Sequence, residues 1–180
     1  MREILFRGKN IDNGKWIYGG YVHLHKTTYC YAGSDDGNND IHRIVFERMT
    51  DWNLPNQHMM ADVLPETVGQ YTGLTDKNGV KIFEGDVVQY NTYDDFDCQS
   101  VVKFGEYNQD GSAGEYSARK CIGFYVDVDN FTCPDWCEDA PDYFPKHFKQ
   151  QNVLEVARDC QVIGNIHDNP EILEGGGDNG

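Results

Sequence analysis

Six cysteines and six histidines are the side chains of this sequence best suited to hold a metal. Cys133-x-x-x-Cys137 has a separation that some zinc sites use, and His147 and Cys160 would complete a tetrahedral set. A second close cysteine pair and an H-x-x-x-H are both missing, so no metal is expected there. His23-x-His25 puts two imidazoles on one face of a strand, because side chains alternate with period two. A single such pair reads as exposed polar side chains rather than half a site. The acidic clusters Asp94-Asp95-Phe96-Asp97 and Asp127-Val128-Asp129 offer hard oxygen ligands. They lack the spaced ligands, the glycine and the closing glutamate of an EF-hand loop, so solvated charge is the expectation.

Catalytic patterns are absent. There is neither a Walker-type loop nor a strand-linked G-x-G-x-x-G. The four serines, Ser34, Ser100, Ser112 and Ser117, lie outside any nucleophile-elbow context. Cys121 and Cys160 fall in apolar, strand-like runs, where thiols pack as small apolar groups. The expectation is a protein that is not an enzyme and uses no cofactor.

The segment Asp135-Trp136-Cys137-Glu138-Asp139-Ala140-Pro141-Asp142-Tyr143-Phe144 mixes acids with aromatics. Aromatics anchor interfaces and carboxylates select basic partners. The competing reading folds Trp136 and Phe144 back as a small satellite core and leaves the acids in water. The net charge is −15, and between Asp94 and Asp142 twelve acids face three bases, a local net of −9. Such a balance opposes direct phosphate-backbone binding, which relies on Lys and Arg. The candidate binding surface is therefore Asp94, Asp95, Asp97, Asp135, Trp136, Glu138, Asp139, Asp142 and Tyr143.

The elements that would position these residues read mostly as strands. Glu3 to Arg7 and Trp16 to Leu24 flank Asp12-Asn13-Gly14, a hairpin signal, with Gly19-Gly20 marking a bulge or a close backbone contact. Thr27 to Tyr31 reads as a strand, Ser34 to Asp40 as a polar loop and Ile41 to Arg48 as a strand. Thr50 to Met60, with its Pro and Asn, reads as a loop. Val68 to Leu74 and Val80 to Phe83 flank the turn Asp76-Lys77-Asn78-Gly79, and Glu84-Gly85-Asp86 redirects the chain into Val87 to Tyr90. Further strands cover Val101 to Phe104 and Cys121 to Val128, the latter with Ile122, Phe124, Val126 and Val128 facing the core. Asn108 to Ser117 reads as a loop and Asn130 to Pro145 as irregular. Phe148 to Arg158 reads as a helix of about three turns. Gln161 to Ile166 closes the fold before a Gly-rich tail.

This pattern predicts an all-β, mainly β chain: an N-terminal β-module over 1–66, and an SH3-like barrel-type module over 67–173 with one short helix and an acidic insertion at 91–145. Residues 174–180 are expected to form a disordered tail. Met1-Arg2-Glu3 turns polar at once and no run has the length of a membrane span, so the expected setting is the cytoplasm, with reduced thiols.

Three stretches resemble the YopX family of bacteriophage and prophage proteins. They are Arg2-Glu3-Ile4-Leu5-Phe6-Arg7-Gly8 with Gly14-Lys15-Trp16; Pro65 through Gly79, continuing to Ile82-Phe83-Glu84-Gly85-Asp86-Val87-Val88; and Val162-Ile163-Gly164-Asn165-Ile166-His167-Asp168-Asn169-Pro170-Glu171. Their order and spacing follow the family from end to end, with Asn91 to Pro145 least similar. The resemblance implies a mostly-β fold and a phage origin, hence a bacterial host cytoplasm. No catalytic residue is carried over from it.

The expected function is binding of a host or phage protein through the acidic surface, with inhibition of a host nucleic-acid-handling or defence complex as one form. The alternative is an oligomer that sequesters a small nucleotide-type ligand. There Trp16, Tyr18, Tyr21 or Tyr71 would stack on a base, and Lys26, Arg43 or Arg48 would meet its phosphate. No direct nucleic-acid partner and no membrane are expected.

Overall fold

The computed structural model describes residues 3–25, 40–91, 97–109, 119–127, 130–131 and 150–174. The chain divides into two compact units, Met1–Tyr71 and Thr72–Gly180. The strands are antiparallel throughout the described residues, as the mainly-β expectation required.

The first unit contains β1 (Phe6–Lys9), β2 (Trp16–Leu24), β3 (Ile41–Arg48), β4 (Gln57–Asp62) and the start of β5 (Gly69–Thr75), in the order β4-β3-β2-β1-β5. The Asn-Gly turn sets the first hairpin. Gly14 takes a φ of 67° and donates its N–H to the Asn10 carbonyl, and Asn10 N–H returns to the Lys15 carbonyl at 2.9 Å. Pairing then runs outward from Lys9↔Trp16 to Phe6↔Gly19. The expected strand over Glu3 to Arg7 is thus shifted toward the turn, because the residues nearest the turn pair first. Beyond Gly19, β2 changes partner, and Gly20 to Leu24 pair with β3.

Gly19 is the close contact that the Gly-Gly pair suggested. A Cβ there would collide with the Val45 carbonyl oxygen, whereas one on Gly20 would meet nothing. Ile44, Val63 and Tyr71 are buried in this unit. Arg7 is buried too, with its guanidinium 4.6 Å from the Trp16 ring centroid. That geometry places the cation over the negative face of the indole.

The loop expected over Thr50 to Met60 is corrected. Gln57 onward forms β4, registered on β3 from Arg48↔Gln57 to Arg43↔Asp62. Met59 and Ala61 are the half-buried positions, opposite Phe46 and Ile44. Neither has a strong strand preference. Cross-strand burial decides the conformation where propensity alone did not.

The second unit opens on the end of β5, which turns back into β6 (Lys81–Phe83). It continues with β7 (Asp86–Asn91), β8 (Asp97–Gln109), β9 (Arg119–Asp127), β10 (Asn130–Phe131), β11 (Gln150–Asn152), helix α1 (Val153–Val156), β12 (Gln161–Asn165) and helix α2 (Glu171–Glu174). The strand order is β11-β9-β8-β7-β12, with β10 also on β8. This pairing does not carry the finer expectation of an SH3-like barrel. The core gathers Ile82, Val88, Tyr90, Cys98, Val102, Phe124, Val126, Val153, Val156, Ala157 and Cys160.

The two turns singled out in the sequence are built as their residues require. At the β5–β6 turn Gly79 has a φ of 81°, and the Asp76 carboxylate accepts the N–H groups of Asn78 at 2.8 Å and Val80 at 2.9 Å. At Glu84-Gly85-Asp86, Gly85 has a φ of 81° and the buried Asp86 accepts the Phe83 N–H at 2.7 Å. A carboxylate that receives backbone donors replaces the water those amides lose on burial.

Two further expectations are corrected. The three-turn helix over Phe148 to Arg158 is not formed: Gln150–Asn152 is a strand on β9, and only Val153–Val156 is helical. Gln150 donates to Asp127 at 2.9 Å and Asn152 to the Tyr107 hydroxyl at 2.8 Å. Those polar side chains find partners along the sheet that a helix would not offer. The inward row on β9 is also shorter than its alternation suggests. Phe124 and Val126 are buried, but Ile122 is 78% exposed. It lies opposite exposed Glu106, toward the far end of the β8–β9 ladder. Ile122→Lys should therefore change stability by no more than about 0.5 kcal/mol, while Phe124→Ala should cost about 3 kcal/mol. Denaturant midpoints of the two variants check this, and equal losses would overturn the assignment.

Candidate functional site

The most concentrated group of donor side chains among the described residues lies where β2 and β3 leave their hairpin. Antiparallel register sets His23 opposite His42, Leu24 opposite Ile41 and Tyr21 opposite Ile44. Period two then places Tyr21 and His23 on one face of β2, with His25 continuing that face just beyond its end, and Asp40, His42 and Ile44 on the same face of the adjoining chain. The Asp40 carboxylate meets both imidazoles of the His23-x-His25 pair. His23 Nε2 lies 3.0 Å from Oδ2, and His25 Nδ1 lies 3.0 Å from Oδ1. These contacts, with those from His25 first, hold the Asp40 carboxyl below its ordinary range.

A second layer fixes the first. The His42 ring stacks on His23 with centroids 4.5 Å apart. Its Nδ1 is 2.5 Å from the Tyr21 hydroxyl. Burial, then the nearby Asp40 charge, push the Tyr21 hydroxyl above its ordinary value. It therefore stays protonated at physiological pH, within hydrogen-bond distance of His42 Nδ1. Phe6 supports Tyr21 from β1, with ring centroids 5.4 Å apart. His23 and His25 do share a face, as their spacing indicated. The sequence reading missed Asp40 and His42. Their signal was the D-x-H alternation of Asp40-Ile41-His42, legible only once paired in register with H-x-H.

The other candidates are distributed differently. Asp94, Asp95, Asp135, Trp136, Glu138, Asp139, Asp142 and Tyr143 lie outside the described residues, as do Cys133, Cys137 and His147. Asp97 begins β8, where its backbone pairs with Asn91. Asp127 is engaged by Lys103 at 2.8 Å and by Gln150, which gives it a place in the sheet. Cys98 and Cys160 are buried cysteines, and Cys121 is a partly buried one. Burial, followed by the charge of Asp76, pushes the Cys160 thiol up to about 11. It is therefore a neutral packing group at physiological pH.

Residues that would serve a stacked nucleotide are largely occupied. Tyr71 is buried, Trp16 is covered by Arg7 and Lys9, and Tyr21 is held by His42. Arg43 pairs with Asp62 at 2.5 Å. Tyr18 remains exposed, and Lys26 lies outside the described residues.

Fold and site together define a mainly antiparallel β protein that carries an exposed histidine–carboxylate face. No helix among the described residues is long and apolar enough to cross a membrane. The chain belongs to the YopX family: the family model, described as YopX protein, matches residues 5–174, nearly the whole length. A solved structure, the crystal structure of protein EF1440 from Enterococcus faecalis, is 21% identical and aligns over 96% of this chain and 99% of its own, with a TM-score of 0.40. No curated protein matches the chain.

Proposed function

We propose that this protein is a non-enzymatic phage accessory protein that binds a host or phage protein through an acidic surface drawn from residues Asp94 to Asp142. The carrying observation is the charge of that segment, twelve acids against three bases. Two of the bases are already used within the sheet: Lys103 pairs with Asp127 at 2.8 Å and Lys120 with Glu106 at 2.6 Å. Ten acids (12 − 2) then remain beside one further base in the segment, Arg119. Carboxylates at that density suit a basic protein surface of the kind that normally receives phosphates, such as that of a nucleic-acid-handling or defence complex. Membership of the YopX family supports the phage accessory setting.

The test is affinity capture from host lysate with mass spectrometry. The bait is the native chain beside a variant carrying Asp94→Lys, Asp95→Lys, Asp135→Lys, Glu138→Lys and Asp139→Lys. A basic partner should be retained by the native chain, be released by rising salt and be absent from the variant, whose melting temperature stays native-like. Identical partner sets for the two baits would refute the reading.

A further inference from the structure

We propose that His23, His25 and Asp40 form a binding site for a borderline divalent transition cation of the Zn²⁺ class. The three offer donor atoms that all lie within 4.8 Å of one another, on the exposed end of the β2–β3 ladder. Zinc bonds to imidazole nitrogen and carboxylate oxygen are about 2.0–2.1 Å long, so tetrahedral ligands sit roughly 3.3 Å apart. The two nitrogen–oxygen separations of 3.0 Å are already close to that. The cation would sit between these nitrogens and the carboxylate, with each ring's N–H on the nitrogen turned away from the metal, and closing the set calls for rotation of the exposed side chains. His25 moves most freely, since its side chain is 81% exposed.

The donor types choose the class of metal. Two imidazoles with one carboxylate suit Zn²⁺, Co²⁺, Ni²⁺ or Cu²⁺, whereas Ca²⁺ and Mg²⁺ take oxygen ligands. Orientation of His23 is not left to chance. Its ring stacks on His42, which the Tyr21 hydroxyl holds in turn. Such outer contacts keep a ligand ring in place before the metal arrives. Three protein ligands leave a fourth tetrahedral position, open to water or to a donor atom of a bound molecule.

The test uses the full, metal-stripped chain in a non-thiol reductant. Zn²⁺ is titrated calorimetrically into the native chain, His23→Ala, His25→Ala, Asp40→Asn and a Cys133→Ser/Cys137→Ser double variant. Circular dichroism melts confirm that each is folded, and the exposed His25→Ala is the mildest of them. One equivalent should bind the native chain and the cysteine variant, and weaken roughly tenfold or more in the histidine and aspartate variants. The Co²⁺ complex should lack the intense near-ultraviolet absorption of a cobalt–thiolate bond. Three outcomes would each overturn the assignment. They are no Zn²⁺ binding by the native chain, native binding no tighter than that of the His25→Ala and Asp40→Asn chains, and a thiolate band lost in the cysteine variant.

Discussion

Asp76→Ala should lower the stability of the second unit by about 3 kcal/mol, seen as a melting temperature lower by roughly 6–12 °C. The carboxylate serves three backbone amides at once. Oδ1 accepts from Asn78 and Val80 across its own turn, and Oδ2 accepts from Val162 at 3.0 Å, 86 positions along the chain. Alanine leaves these donors short of an acceptor beside a residue that is only 5% exposed. Asp76→Asn keeps one acceptor oxygen but turns an amide donor toward the others, so it should fall between the native chain and alanine.

The pH dependence separates this carboxylate from a general loss of packing. Burial by itself pushes the Asp76 carboxyl up, but the N–H groups of Val162, Val80 and Asn78 outweigh it, and the group sits below its ordinary value of 3.8. A folded value below the unfolded one means the stabilisation is complete above the unfolded value and is lost as pH falls through the folded one. The stability gap between native and Asp76→Asn chains should therefore be flat from neutral pH to about 5 and narrow below about 4. A gap constant down to pH 3 would contradict the assignment.

Gly19→Ala should be the most damaging one-carbon change in the first unit, at about 3 kcal/mol or more. The added Cβ meets the Val45 carbonyl oxygen, a backbone atom that cannot rotate away. Relief requires β2 and β3 to separate or slip. A slip of one residue would send His23 and His25 to the opposite face from Asp40 and His42. Gly20→Ala is the matched control, since a Cβ there meets nothing within 4 Å. It should be neutral or stabilise by up to about 1 kcal/mol, by restricting the unfolded chain. Melts show the stability difference, and histidine ring resonances show whether the face survives. Equal behaviour of the two variants would remove the steric argument.

The parts of the fold legible in the sequence are those written by local chemistry. Asn13-Gly14 and Asn78-Gly79 demanded turns, and Gly85 with Asp86 demanded a change of direction; all three occur with positive φ at the glycine. What escaped depends on partners distant in sequence. Gln150-Gln151-Asn152 carries no strand preference of its own and becomes β11 by pairing with Asp127, Val126 and Tyr125. Gln57 to Met60 becomes β4 because β3 is there to receive it. Ile122 looked inward because alternation tells which residues share a face, not how far the covered part of that face extends. The donor cluster was half visible for the same reason. His23 and His25 advertise themselves by spacing, but Asp40 and His42 join them only through the register of β2 on β3.

The long bond between Asp76 and Val162 also bears on the order of events at the ribosome. The pairings of β1 with β2, β2 with β3, β3 with β4 and β1 with β5 all join residues up to Gln70, so both sides of each have been made before the second unit begins. The second unit must wait. β7 acquires β12 as a neighbour, and the Asp76 turn its third donor, only when the chain has grown to about Asn165. At about 5–20 residues per second, synthesis from Asn91 to Asn165 takes roughly 4–15 s. For that interval one side of β7 lacks its neighbour, and the nascent chain presents an unpaired strand edge that the finished protein covers.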